Sequence, residues 1–221
     1  NARAILSWGD AVQRGVPFRW ANDENNLSTA QKTALQTNAA GSVETVAKGQ
    51  DRLNYIRGDR SKELGNGGSL RNRRSVQGDI VNSEIWYVGK PSSNYAEDSY
   101  LGFVRTHSSR MPMLYVGGND GMLHGFSADD GGEKIAYVPR GVIPNLSRLS
   151  DPGYDENHRY FVDGSPMTGD VNLGSASSAN WRTLLVGTLG AGGKGYFVLD
   201  VTNPGSDFAE GKANQLVVLD K

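Results

Sequence analysis

The sequence predicts a mainly β fold, built from irregular β-propeller blades of antiparallel strands and preceded by a short helical segment. Three observations predict it. The stretch Met113-Leu-Tyr-Val-Gly-Gly-Asn-Asp-Gly-Met-Leu-His-Gly-Phe126 reads as one hairpin: an apolar strand, a Gly117–Gly121 turn and a return strand. Asn119, Asp120 and Gly121 are the residue types that enter positive-φ turn geometry at least cost. Leu184 to Val201 repeats the scheme, and Gly78 to Gly89 ends on the same Val-Gly strand. Three strands that finish in Val-Gly predict radial repetition of small antiparallel sheets. Glycine supplies the third observation, with 29 residues where average usage of roughly 7% would give about half as many.

The elements follow in order. Residues 1–57 carry helical signals and form a predicted lead-in segment. Ser28-Thr-Ala-Gln31 has the form of a capping box, opening a helix that runs to about Thr37. A second helix is expected from near Ser42, with Glu44 in its first turn and Val43, Val46, Leu53 and Ile56 along its apolar stripe. Residues 58–74 read as a charged, glycine-bearing linker within the predicted partial propeller domain, 58–221. Strands are expected near 79–89, 113–117, 121–127, 134–138, 159–163, 166–171, 181–187, 195–201 and 214–219. The long connections 92–110 and 141–157 have room for short helices. The two matched hairpins lie about 70 residues apart, longer than the ~40–50 of simple propeller repeats, which points to inserted loops. Val116, Leu123, Val186 and Phe197 are the expected core contacts between neighbouring blades.

Composition bounds the function. A net charge of −1 gives no basic face for nucleic acid. The absence of cysteine excludes disulfides and thiol catalysis, and no apolar run approaches the ~20 residues of a membrane span. The chain lacks an initiator Met and reads as a piece of a longer protein.

Four places carry a family resemblance. They are Ile56-Arg-Gly-Asp-Arg60, Leu70-Arg-Asn-Arg-Arg-Ser-Val-Gln-Gly-Asp-Ile-Val-Asn-Ser83, Tyr115-Val-Gly-Gly-Asn-Asp-Gly-Met-Leu-His124, and the pair Tyr160-Phe-Val-Asp-Gly-Ser-Pro166 with Trp181-Arg-Thr-Leu-Leu-Val-Gly-Thr-Leu-Gly-Ala-Gly-Gly-Lys-Gly195. In this order they resemble the C-terminal β-propeller region of the PilC/PilY family of type IV pilus assembly and tip-adhesin proteins, over about residues 50–221. The resemblance implies a modified propeller without enzymatic activity, exported to the periplasm, outer membrane or pilus tip of a Gram-negative bacterium. It implies work with minor pilins in pilus extension, twitching motility and attachment, including attachment to a host-cell receptor. Members can carry an Asp-x-Asp-x-Asp-Gly calcium loop. No such spacing occurs here, so calcium is assigned to no residue of this chain, although the full-length protein could hold it elsewhere. A quinoprotein-like propeller oxidoreductase and an outer-membrane scaffold propeller remain the alternatives, since similar Val-Gly-x-x-Asp-Gly-x-Leu hairpins occur in quinone-holding blades.

Each candidate site has a plainer reading. Arg57, Gly58 and Asp59 form the tripeptide that integrin-type receptors read, a guanidinium and a carboxylate splayed by glycine. Alternatively Gly58 ends the helix at its C′ position, with Arg57 and Asp59 paired locally. Asp129, Asp130 and Glu133, or Asp151, Asp155 and Glu156, could offer oxygens to calcium, but neither set has the spacing of a dedicated loop, and turns explain both. The stretch 22–26 reads as a polar entry to the first helix. His107, His124 and His158 have no second ligand at metal spacing, and no nucleophile elbow occurs. Gly190–Gly195 resembles a phosphate loop only superficially, because it leads into a strand rather than a helix. Arg71, Arg73 and Arg74 form a basic patch that could meet an acidic partner, or simply a solvated linker.

Overall fold

The computed structural model describes residues 3–21, 23, 26–175 and 177–221. It is a mixed α/β arrangement in which two sheets share one apolar core. The first sheet has six strands in the order β2-β1-β6-β5-β4-β3: β1 (Ile5–Gly9), β2 (Arg14–Pro17), β3 (Trp86–Val88), β4 (Met113–Gly118), β5 (Met122–Ser127) and β6 (Glu133–Val138). The second has four, in the order β10-β9-β8-β7: β7 (Met167–Asn172), β8 (Trp181–Thr188), β9 (Tyr196–Asp200) and β10 (Val217–Asp220). Neighbours are antiparallel except β1 and β6, which run parallel with Leu6 opposite Tyr137. Among the described residues the two sheets do not close into a ring.

Both expected hairpins form. β4 and β5 turn at Asn119–Gly121, where Gly121 has a φ of +92°. A Cβ on Gly121 would also lie 2.4 Å from a methyl of Leu146, so the position excludes side chains twice over. β8 and β9 pair with Gly187 opposite Phe197. The Phe197 ring lies over Gly187, where a Cβ would sit 2.2 Å from it. That contact fixes the inward face of β8 as Thr183, Leu185 and Gly187. Val116, Leu123 and Phe197 are buried as expected, whereas Val186 lies on the opposite, half-buried face. A tilted contact between Tyr137 and Phe197, 5.0 Å between centroids, joins the two sheets.

The helical reading of residues 1–57 is corrected in part. The first helix, α1 (Thr29–Gln36), carries its capping box: Ser28 Oγ accepts from Gln31 N, and Gln31 Oε1 accepts from Ser28 N at 2.8 Å. Its Gln31 amide also donates to the Trp8 carbonyl at 2.7 Å, tying the helix to β1. But residues 5–17 form β1 and β2, so the six-stranded sheet draws on both sides of the 57/58 division. Of the 22–26 stretch, residues 22, 24 and 25 lie outside the described residues. The second helix, α2 (Val46–Ile56), starts later than expected, because Thr45 is its N-cap. Glu44 instead pairs with Arg52, and Val43 and Val46 are exposed while Leu53 and Ile56 are buried.

Three strand expectations also change. Only Trp86–Val88 of 79–89 is strand, since residues 78–83 spend their polar groups on the β4–β5 tip and the 163–164 segment. Residues 159–163 form no strand and run as a strap across both hairpin tips. A helical turn, α5 (Ala213–Leu216), precedes β10. The connections expected to hold helices do so, in α3 (Asp98–Thr106) and α4 (Ile143–Leu146).

Candidate functional site

A cleft of about 420 Å3 opens beside the β4–β5 tip, walled by residues 71–79 and the turn at 154–158. The hairpin tip positions its inner wall. Asn119 N donates to the Asp79 carbonyl at 2.9 Å, its side-chain amide donates to the Asp79 carboxylate at 2.8 Å, and its Oδ1 accepts from Phe161 N at 3.0 Å. Asp120 accepts from Gly78 N at 2.9 Å. One two-residue tip thereby holds two separate straps.

Beneath the tip lies a chain of charges built around the buried His124. The His124 ring places Nε2 3.0 Å from Asp120 and Nδ1 2.8 Å from Glu133. With a carboxylate at each nitrogen, both must donate, so the ring is an imidazolium. Burial alone would depress its pKa, but the two carboxylates outweigh that and raise it to about 9. The same contacts hold Asp120 below the usual carboxylate range and bring Glu133 down to about 2, against the opposing pull of burial. Arg3 closes the chain with two bonds to Glu133, at 2.5 and 2.7 Å. Two cations balance two anions, the condition under which buried charge is tolerated.

The expected basic patch is divided by its partners. Arg71 pairs with Asp155 at 2.8 Å and lies over the Tyr154 ring. Arg73 is buried, pairs with Glu63 at 2.9 Å, donates to the Tyr55 and Asp59 carbonyls, and stacks 3.6 Å from the Tyr55 ring. Arg74 is the exposed member. His158 joins this cleft through Asp79 at 3.0 Å.

The Arg57, Gly58 and Asp59 reading as an adhesive tripeptide is corrected. A receptor must reach both charges, yet Arg57 is 3% exposed, pairs with Glu210 at 3.0 Å and donates to the Phe18 carbonyl. The segment is a Schellman helix ending: Gly58 at φ +103° donates to the Tyr55 carbonyl, and Asp59 N donates to that of Asn54. Asp59 itself is exposed and accepts from Ser61 N.

The carboxylate sets stay apart as well. Glu133 turns inward to His124 and Arg3, whereas Asp130 caps Gly132 and pairs with Lys134 in the hairpin turn. Asp151 caps Gly153 and Asp155 engages Arg71. Among the described residues no His, Asp or Glu cluster offers three metal ligands. His107 packs between the Phe103 carbonyl and Asn203. Local sequence pattern does not mark Arg3, Asp79 or the holding role of Asn119 and Asp120. Nothing in local pattern could pair Arg3 with a carboxylate 130 positions away.

Comparison with known proteins adds identity to this geometry. Residues 77–218 match the family described as PilY1 beta-propeller domain. The Type IV pilus biogenesis factor PilY1 of Pseudomonas aeruginosa (strain PAK) is 40% identical over 215 residues, covering 91% of this chain and 17% of that protein. A PilY1 homolog of Xylella fastidiosa is 40% identical over 203 residues, covering 86% of this chain and 16% of its own length. A crystal structure of the P. aeruginosa PilY1 C-terminal domain shares 38% identity over 53% of this chain and 23% of that one, with a TM-score of 0.39. The chain thus spans about a sixth of the length of the curated relatives it matches.

Proposed function

This chain belongs to the PilY1 beta-propeller domain family, and we propose that it serves, within a larger exported protein, in type IV pilus biogenesis without catalysing a reaction. The observation that carries the reading is 40% identity maintained across 91% of the chain to a pilus biogenesis factor. In this reading the protein acts at the periplasm, outer membrane or pilus tip, works with minor pilins, and supports extension, twitching motility and attachment.

The two sheets then act as two blades. β3–β6 and β7–β10 are each four antiparallel strands in consecutive order, the meander expected of a blade. The β4–β5 and β8–β9 hairpins are their second and third strands, which makes the Val-Gly endings of β4 and β8 equivalent. The ending at Gly89 follows a first strand and has a different place. β1 and β2 extend the first blade.

The test is a chimera. The matching segment of PilY1 in P. aeruginosa strain PAK is replaced by this chain, and surface pili and twitching are measured against a deletion. Restored pili and twitching are expected. A chimera exported at normal level that leaves the cells without pili would overturn the reading.

A further inference from the structure

A second cleft, of about 430 Å3, separates β3 from β7. Each is the edge strand of its sheet, so main-chain donors and acceptors face outward without a strand partner among the described residues. Trp86 Nε1 bridges the two walls to Thr168 Oγ1 at 2.9 Å. Thr168 and Asp170 face the cleft, while Gly169 between them points to the opposite, exposed face of β7.

The cleft also holds a cation with no bound counter-ion. Arg110 donates through Nε to the Gly89 carbonyl at 2.7 Å and through Nη1 to Thr183 Oγ1 at 2.7 Å, both neutral acceptors. The nearby carboxylate, Asp170, is 6% exposed and already taken by three hydroxyls: Thr183 at 2.6 Å, Tyr100 at 2.6 Å and Ser93 at 3.0 Å. Asp170 makes no direct bond to Arg110; Thr183 stands between them, and the carboxylate acts on the guanidinium through space. Burial lowers the Arg110 pKa, the sign of a guanidinium that has lost water without gaining a full ion pair. Lys90 adds a second, exposed cation on the rim.

We propose that this cleft binds an extended peptide segment bearing a carboxylate. Its backbone adds as a strand to the open edge of β7, and its carboxylate pairs with Arg110 and Lys90. β7 is the better edge because it offers six residues against three in β3. Strand addition supplies main-chain hydrogen bonds regardless of sequence, while the planar guanidinium selects for carboxylate.

Titration calorimetry of the whole chain with the peptide acetyl-Thr-Val-Thr-Glu-Thr-Val-Thr-amide, and with its Gln counterpart, tests this. The Glu peptide is expected to bind about tenfold more tightly than the Gln peptide. Arg110→Gln should remove that preference. Because Arg110 also braces Gly89 and Thr183, a surface variant stands beside it: Lys90→Glu should weaken the Glu peptide several-fold and leave the Gln peptide unchanged. Equal binding of the two peptides, binding of neither, or unchanged binding of the Glu peptide by Lys90→Glu would overturn the proposal.

Discussion

The two hairpin tips hold the same strap by different means. At the β4–β5 tip side chains add to a close backbone contact: a Cβ on Gly117 would fall 2.3 Å from the Val162 carbonyl oxygen, Asn119 holds Phe161 and Asp79, and Asp120 holds Gly78 while standing on the buried His124 imidazolium. At the β8–β9 tip the grip is backbone on backbone. The Leu189 carbonyl accepts from Asp163 N at 3.1 Å, and Gly192 approaches so closely that a Cβ would fall 1.7 Å from the Phe161 carbonyl oxygen. Both tips are therefore sensitive to volume, and the first is sensitive to protonation as well. Repetition of a hairpin in the chain does not imply repetition of the forces that fix it.

Removing His124 should break the comparison most severely. His124→Gln leaves the half-buried Asp120 and Glu133 with only Arg3 as a neutralising cation, and breaking a buried pair costs up to about 3–5 kcal/mol. Urea denaturation should show the loss, and an unchanged midpoint would show that the charges do not hold the tip. The pH dependence follows from the same contacts. His124 has its pKa raised from 6.5 to about 9, so its contribution is fully present below 6.5 and is lost as pH rises through 9. Its magnitude is roughly 3 kcal/mol. Glu133, lowered from 4.5 to about 2, contributes above 4.5 and loses that as pH falls through 2. Denaturation midpoints across pH 6–10 should decline in the wild type and stay flat, at a lower level, in His124→Gln.

The second tip should answer to size alone. Gly192→Ala forces a methyl against the Phe161 carbonyl and should cost about 1–3 kcal/mol, the range for overpacking. The loss should be the same at pH 6 and pH 10. A loss that grows at high pH would mean the two tips are coupled through the strap between them.

Much of this was legible in the chain, and the rest failed for physical reasons. The capping box at Ser28 and the Asn-Asp-Gly tip are local signals, complete within a few residues, and both form as expected. The six-stranded sheet was not legible from its first edge. β1 carries Ile5, Leu6, Ser7 and Trp8 buried on both faces, so it shows no polar alternation, and its partner β6 lies more than a hundred residues away. Val186 lies on the outer face, and apolar identity alone cannot choose between faces of a strand. The choice is made by Phe197 lying over Gly187, a contact between strands. The charge chain through Arg3 is likewise long-range. Arg57 shows the opposite error, a short motif that invites a functional reading but whose guanidinium is consumed by Glu210 and the Phe18 carbonyl.

The smallest expected effect sharpens the contrast between the tips. Lys194 is the charged residue of the 190–195 turn, and it is exposed. If the second tip is held by close backbone approach, that charge contributes nothing to its grip, just as an isolated surface cation contributes little elsewhere. Lys194→Ala should then change stability by less than about 0.5 kcal/mol at either pH. Its mirror at the first tip is Asp120→Asn, which keeps the shape and the bond from Gly78 N while removing the charge beside His124. That variant should lose the high-pH decline in part, because His124 keeps only Glu133 to raise its pKa. A neutral outcome for Lys194→Ala beside an altered pH profile for Asp120→Asn would assign electrostatics to the first hairpin alone, on top of the close packing that both share. A pH-dependent loss in Lys194→Ala would instead show that charge acts at both tips, and the distinction between them would fail.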